Sequence, residues 1–217
     1  MRVIAGIDEV GRGPVIGPMV IAGVSIASHD LEKLKLMGVK DSKKLTHPAR
    51  IRLAEEIKKI AIRYELVEIP VEVIDRNLLK GVNLNMLEAK FMALIIEKLK
   101  PDEVYIGSVD VNADRFKKMI EQHLTKLSVK LNVSHHAEDE YPVVAAASIL
   151  AKCRREEIIN ELKQRVGDFG SGYPHDPKTK EFLIKWVKEH GALPPFARKT
   201  WKTSKKALQL KLNEALI

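Results

Sequence analysis

The chain has 217 residues, enough to bury a sizeable core as one domain or as one domain with an appendage. Hydrophobic residues make up 45% and charged residues 30%, an ordinary globular balance, and no run approaches the roughly 20 apolar residues of a membrane span. A formal net charge of +8 suits a polyanionic partner, and the single cysteine, Cys153, excludes an internal disulfide and fits a reducing compartment. The opening residues lead straight into Asp8 and Glu9, so no signal peptide is expected and the chain is read as cytoplasmic.

In chain order, Val3–Ile7 and Met19–Ile26 read as strands flanking a glycine-punctuated loop. Thr46–Ile60 reads as a helix with Pro48 near its start, and the alternation Ile62, Tyr64, Leu66 predicts a strand to about Ile69. Asn83–Leu99 is a second helix, stopped by Lys100-Pro101; Glu103–Val109 is a buried strand and Asn112–Lys126 a helix. After a short strand at Val129–Val133, a long helix runs from Val143 to about Val166. It opens on Ala145-Ala146-Ala147-Ser148, small enough to pack tightly on a sheet. Helices follow at Pro177–His190 and from about Thr200 to the end. Strands interleaved with helices, then a helical tail, predict an α/β mixed sheet with a helical C-terminal part. Three glycines and two prolines between Gly167 and Pro177 mark the boundary, giving regions 1–166 and 167–217.

Asp8 and Glu9 are adjacent carboxylates, which repel unless a cation, a proton or solvent neutralises them. Mg²⁺ takes one or two carboxylates and completes its shell with water and phosphate oxygens. Gly11 and Gly13 allow close backbone approach, and Arg12 can fork onto a phosphate. The same residues also suit a solvated strand-to-turn junction. A nucleotide-binding loop is disfavoured, because no Gly-Lys-Ser/Thr follows. Basic residues cluster at Lys40, Lys43 and Lys44, and again at Arg198, Lys199, Lys202, Lys205 and Lys206 around Trp201. That tryptophan is either a stacking element for nucleic acid or an anchor for the terminal helix.

Gly6-Ile7-Asp8-Glu9-Val10-Gly11-Arg12-Gly13 resembles the opening signature of type 2 ribonuclease H, with Val10 where alanine is usual. The resemblance continues through Asp41-Ser42-Lys43-Lys44-Leu45, Tyr141 to Lys152, Gly167 to Pro174, and Arg198 with Trp201-Lys202-Thr203, in the family's order. The style is that of the single-chain archaeal branch. The resemblance implies a ribonuclease-H-like mixed sheet with flanking helices plus a helical C-terminal extension. It implies an endonuclease that uses Mg²⁺ or Mn²⁺ to hydrolyse the RNA of RNA–DNA hybrids, including single ribonucleotides embedded in DNA, and the chain is read as a monomer. By position it implies Asp8 and Glu9 as catalytic metal ligands. Gly11, Arg12 and Gly13 would meet the strand at the junction, the backbone reading a 2′-hydroxyl, and Tyr173 would stack on the next sugar. Lys43, Lys44, Arg198 and Lys202 would contact phosphates, so affinity should fall steeply with salt.

Two departures bear on catalysis. The third acid of the family pattern falls on Gly107, and the next carboxylate is Asp110. In an unbroken strand the two positions face opposite ways, so Asp110 serves as a catalytic metal ligand only if the strand ends or bulges near Ser108. Otherwise it is a residue before a helix that Asn112 caps. The fourth acid falls on Glu138, one methylene longer than aspartate, with Asp139 as its rival if the loop slips by one residue. His135 and His136 beside these acids fit either a transition-metal site or plain polar surface. The alternative to an active nuclease is a hybrid-duplex binder of the same fold with lost or weak catalysis.

Overall fold

The computed structural model describes residues 1–39, 46–125 and 129–214. The chain divides into two compact units, both discontinuous. The first comprises Met1–Val10, Val20–Glu68 and Leu84–Arg154; the second comprises Gly11–Met19, Ile69–Asn83 and the chain from Arg155 onward.

A sheet of strand order β3-β2-β1-β4-β5 runs through the first unit. It is built from β1 (Val3–Val10), β2 (Met19–Ala27), β3 (Arg63–Ile69), β4 (Glu103–Gly107) and β5 (Lys130–Ser134). β1 pairs antiparallel with β2 and parallel with β4, and β4 pairs parallel with β5. All nine residues of β2 are buried, which explains a continuous apolar run rather than an alternating one. Around the sheet lie α1 (Leu31–Leu36), α2 (His47–Ile60), α4 (Leu84–Leu99), α5 (Ala113–Glu121) and α6 (Ala137–Glu140). The second unit contains α3 (Val71–Leu79), α8 (Pro177–His190) and α9 (Lys202–Glu214), while α7 (Pro142–Val166) contributes its first half to one unit and its second half to the other.

Two glycines let helices sit close on the sheet. A Cβ at Gly23 would strike Ile95 of α4, and one at Gly6 would overlap the Val143 carbonyl at the start of α7. The small residues Ala145, Ala146 and Ala147 continue that close approach, all buried. Gly6→Ala is therefore expected to cost about 3 kcal/mol or more, because backbone cannot rotate away as a side chain does. A drop in melting temperature of about 10 °C would register it, and an unchanged melt would contradict this packing.

Among the described residues the predicted elements hold, with α1, α3, α6 and a 3-10 turn at Ser28–Asp30 in addition. α1 and α6 carry too few turns for a periodic signal, whereas α3, at nine residues no shorter than α5, emerges only in the folded chain. β4 stops at Gly107 rather than Val109, and α5 ends at Glu121 rather than Lys126, a residue outside the described ones. In the second unit Val15, Ile16, Phe169, Leu183, Val187, Leu193, Ala197 and Ala207 form a separate apolar core, against which Trp201 and Phe196 pack. Residues 167–214 fall in this unit together with residues 11–19, 69–83 and 155–166.

Candidate active site

The carboxyl ends of β1, β4 and β5 lie side by side. Ile7 pairs with Ile106, which puts Gly107 alongside Asp8, and Gly107 in turn pairs with Ser134 at the end of β5. Ligands of open α/β sheets collect at such strand ends. Here they form a pocket of about 270 Å³ lined by Asp8, Glu9, Gly107, Ser108, His135, His136, Glu138, Ser148 and Lys152. The strand pleat sets Asp8 on the face of Gly6, toward α7, where Ser148 and Lys152 stand one helical turn apart.

Asp8 is 8% exposed. Burial pushes its carboxyl up to about 6; the Ser148 hydrogen bond opposes this, the Glu138 carboxylate adds to it, and Lys152 lowers it again. Glu9 and Glu138 are half-buried. Glu138 reaches the pocket because His136 adopts the left-handed conformation (φ 55°), turning the chain from β5 into α6. Asp139, also on α6, is exposed, and its ligand oxygen lies within 4.8 Å of donor atoms of His136 and Glu138. Asp8, Glu9, Glu138 and the Ser148 hydroxyl line the pocket with hard oxygen donors, the chemistry a hard divalent cation takes, while among the described residues the donor atoms already within 4.8 Å of one another are those of His136, Glu138 and Asp139. Position 107 supplies no donor, yet it faces the same space: a Cβ there would lie 3.2 Å from Asp8 Oδ1.

The structure does not bring Asp110 to this pocket. β4 ends at Gly107, and beyond it the Ser108 hydroxyl donates to the Asp110 carbonyl at 2.9 Å. The Asp110 carboxylate instead accepts from Arg115 Nη2 at 2.5 Å and Nε at 2.9 Å, from Asn85 at 2.8 Å and from the Asn112 amide at 2.8 Å. Asn112 caps α5 as expected, accepting from the Arg115 amide at 2.9 Å. The Arg115 bond first, then the Asn112 amide, hold the Asp110 carboxyl down at about 2. A lowered pKa means that this stabilisation is complete above the ordinary carboxylate range and is lost as pH falls toward 2. Asp110→Asn is expected to melt a few degrees lower than the parent at pH 7, with the gap closing by pH 2. Mn²⁺ affinity, read by calorimetry, is expected to stay the same; a tenfold loss would make Asp110 a ligand after all.

The loop carrying Gly11, Arg12 and Gly13 lies in the second unit, with Tyr173, Arg198 and Trp201. A Cβ at Gly13 would lie 3.5 Å from the Tyr173 ring. Arg198 was expected to contact phosphate, but its side chain is wholly buried and donates to the carbonyls of Gly11, Arg12 and Gly17. Its cation is solvated by backbone rather than by ligand. Lys202, at the start of α9, is exposed, as are Lys199, Lys205 and Lys206. Lys43 and Lys44 lie outside the described residues.

Residues 5–204 match the family model for Ribonuclease HII. The chain belongs to the Ribonuclease HII family. Ribonuclease HII of Methanosarcina barkeri is 48% identical over 208 residues, covering 92% of both chains. That of Pyrococcus furiosus is 46% identical over 205 residues, covering 94% of this chain and 90% of its own. The solved ribonuclease H2 of Pyrococcus horikoshii superposes with a TM-score of 0.90 at 39% identity, covering 96% of this chain and 98% of that one. Ribonuclease HII enzymes are type 2 ribonuclease H endonucleases that depend on a divalent metal. Among the described residues no helix is long and apolar enough to cross a membrane.

Against this family frame, sequence reasoning overlooked Ser148 and Lys152 as site residues. Their spacing of four was visible, but every side of this stretch reads as apolar packing. Only the seating of α7 on Gly6 shows which side meets Asp8.

Proposed function

We propose that this chain hydrolyses the RNA strand of RNA–DNA hybrids, including single ribonucleotides embedded in duplex DNA, as a monomer with Mg²⁺ or Mn²⁺. The convergence of Asp8, Glu9 and Glu138 on one pocket at three neighbouring strand ends carries this reading. Asp8, Glu9 and Glu138 would hold the metal, with Asp139 next in line on α6. When bound, such a cation polarises the phosphate and lowers the pKa of a coordinated water. Ser148 orients the Asp8 carboxylate, and the Lys152 ammonium offsets the negative charge gathered around it. Gly11, Arg12 and Gly13 would meet the ribose at the junction, Tyr173 the neighbouring sugar, and Lys202 with Lys43 and Lys44 the phosphates.

Gly107 supports one qualification of rate. The site is a carboxylate short, and Asp110 is committed to Arg115, so cleavage is slow relative to a site with four acids. A duplex carrying one ribonucleotide, incubated with the full chain in Mg²⁺ and separately in Mn²⁺, tests this. Metal-dependent scission at the ribonucleotide is expected, and EDTA should abolish it. Retained binding with no scission in either metal would leave a hybrid-binding protein of the same fold.

A further inference from the structure

Hydrogen bonds within the second unit engage most of the carbonyls of the loop from Gly11 to Pro18. Arg198 Nη2 donates to Gly11 O at 2.5 Å and Nη1 to Arg12 O at 2.8 Å; Nη2 and Nε reach Gly17 O at 3.0 and 3.2 Å. Trp201 Nε1 donates to Gly13 O at 3.1 Å. Arg155 takes the carbonyls of Ile16 and Pro18 at 3.2 and 3.3 Å. The amides of Val15 and Ile16 donate to Gly172 O at 2.8 and 3.2 Å, and that of Gly17 to Phe196 O at 2.9 Å.

The donors behind the loop are themselves fixed. Arg198 is 0% exposed, and its guanidinium carbon sits 4.7 Å from the centroid of the Trp201 ring. The buried Asp75 carboxylate accepts from the amides of Lys199 and Thr200 at 2.8 and 3.1 Å and from the Thr200 hydroxyl at 2.6 Å, pinning the residues between Arg198 and Trp201.

No described peptide bond is cis, so each N–H points opposite to the carbonyl that precedes it. With the Gly11 and Arg12 carbonyls drawn to Arg198, the N–H groups of Arg12 and Gly13 aim away from it. Pro14 and Pro18 follow the carbonyls of Gly13 and Gly17 and have no N–H to present. Two consecutive amides are thus turned away from Arg198, in a loop most of whose carbonyls are engaged within the second unit. Gly13 is exposed, its φ is not positive, and a Cβ there would make only ordinary contact with Tyr173. Nothing within the chain demands glycine at 13, so its smallness serves something arriving from outside.

We infer that Arg198 and Trp201 are positioning residues for ribose recognition: they hold the carbonyls of the loop inward and thereby present the Arg12 and Gly13 amides as a donor pair for a ribonucleotide's 2′-hydroxyl. The inference rests on the substrate reading above and adds the residues that set its selectivity. Arg198 does this without touching nucleic acid. Lysine keeps the charge but not the planar fork that spans three carbonyls, so it cannot substitute.

The test is fluorescence anisotropy in EDTA with the full chain, using a labelled duplex containing one ribonucleotide and its all-DNA counterpart. The unaltered chain is expected to prefer the ribonucleotide duplex. Arg198→Lys should reduce that preference by about tenfold, the equivalent of 1.4 kcal/mol, while all-DNA affinity changes less than about twofold. Trp201→Phe keeps a ring over the guanidinium and removes only the bond to Gly13 O, so it should lose a few-fold of the preference. Gly13→Ala should lose the preference with an unchanged melting temperature. A merely structural role predicts another pattern, in which both affinities fall together with the melting temperature and their ratio is unmoved. That pattern, or a wild-type ratio in both Trp201→Phe and Gly13→Ala, overturns the inference, and these two variants decide the matter if Arg198→Lys does not fold. Equal binding of both duplexes by the unaltered chain overturns the substrate reading and the inference with it.

Discussion

Gly107→Asp is expected to raise the rate of cleavage at an embedded ribonucleotide by about 10- to 100-fold, the range over which groups supporting a metal site alter activity. Position 107 ends β4, one step beyond the Ile7–Ile106 pair, and its Cβ direction leads to within 3.2 Å of Asp8 Oδ1. An aspartate there delivers a carboxylate to the space that Asp8, Glu9 and Glu138 already surround. Without metal the same change is unfavourable, since it crowds Asp8 and adds a like charge to a buried acid. The variant should thus melt a few degrees below the parent in EDTA and gain more from added Mn²⁺ than the parent does. Cleavage kinetics paired with melts in both conditions read the two arms. An unchanged rate together with an unchanged response to Mn²⁺ would show that position 107 is not a vacant ligand position.

Asp8→Asn is expected to make the metal-free protein more stable at pH 7 and to remove cleavage almost entirely, by about 10³-fold. Burial lifts the Asp8 carboxyl from an ordinary value of 3.8 to about 6, so the fold favours its protonated form. The stabilisation from that proton is complete below about pH 4 and is lost as pH rises through 6. Neutral asparagine removes the cost of holding a buried charge there at pH 7. Melting curves in EDTA from pH 3 to 8 isolate the effect as the difference between variant and parent: near zero at pH 3, widening to several degrees by pH 7. Added Mn²⁺ should raise the parent's melting temperature and leave the variant's nearly unmoved. Equal melting temperatures in EDTA at pH 7 would contradict the burial of a charge at position 8.

Both predictions concern residues found by reading the chain, yet the sequence and the fold contributed differently to them. Asp8 and Glu9 are adjacent in the chain, and their adjacency alone poses the problem of a neutralising cation. The apolar segments that became β2, α4 and the first half of α7 were legible because each buries a continuous stretch or a full helical face. Short helices were not. α6 consists of four residues entered through a left-handed histidine, and only that turn brings Glu138 toward Asp8.

The family, the alternation of strands and helices, the acidic pair and the gap at Gly107 were all legible before folding. These depend on local order along the chain, where neighbours are known in advance. The tertiary structure decided what Asp110, Arg198, Ser148 and Lys152 do. A charged side chain takes its role from whatever solvates it. Asp110 is taken by Arg115, Asn85 and the Asn112 amide, and Arg198 by carbonyls more than 180 positions away. The same residue types could as readily have met a metal or a phosphate. Only the packing of distant segments chooses between those partners, because a buried charge must be satisfied by the groups that the fold places beside it.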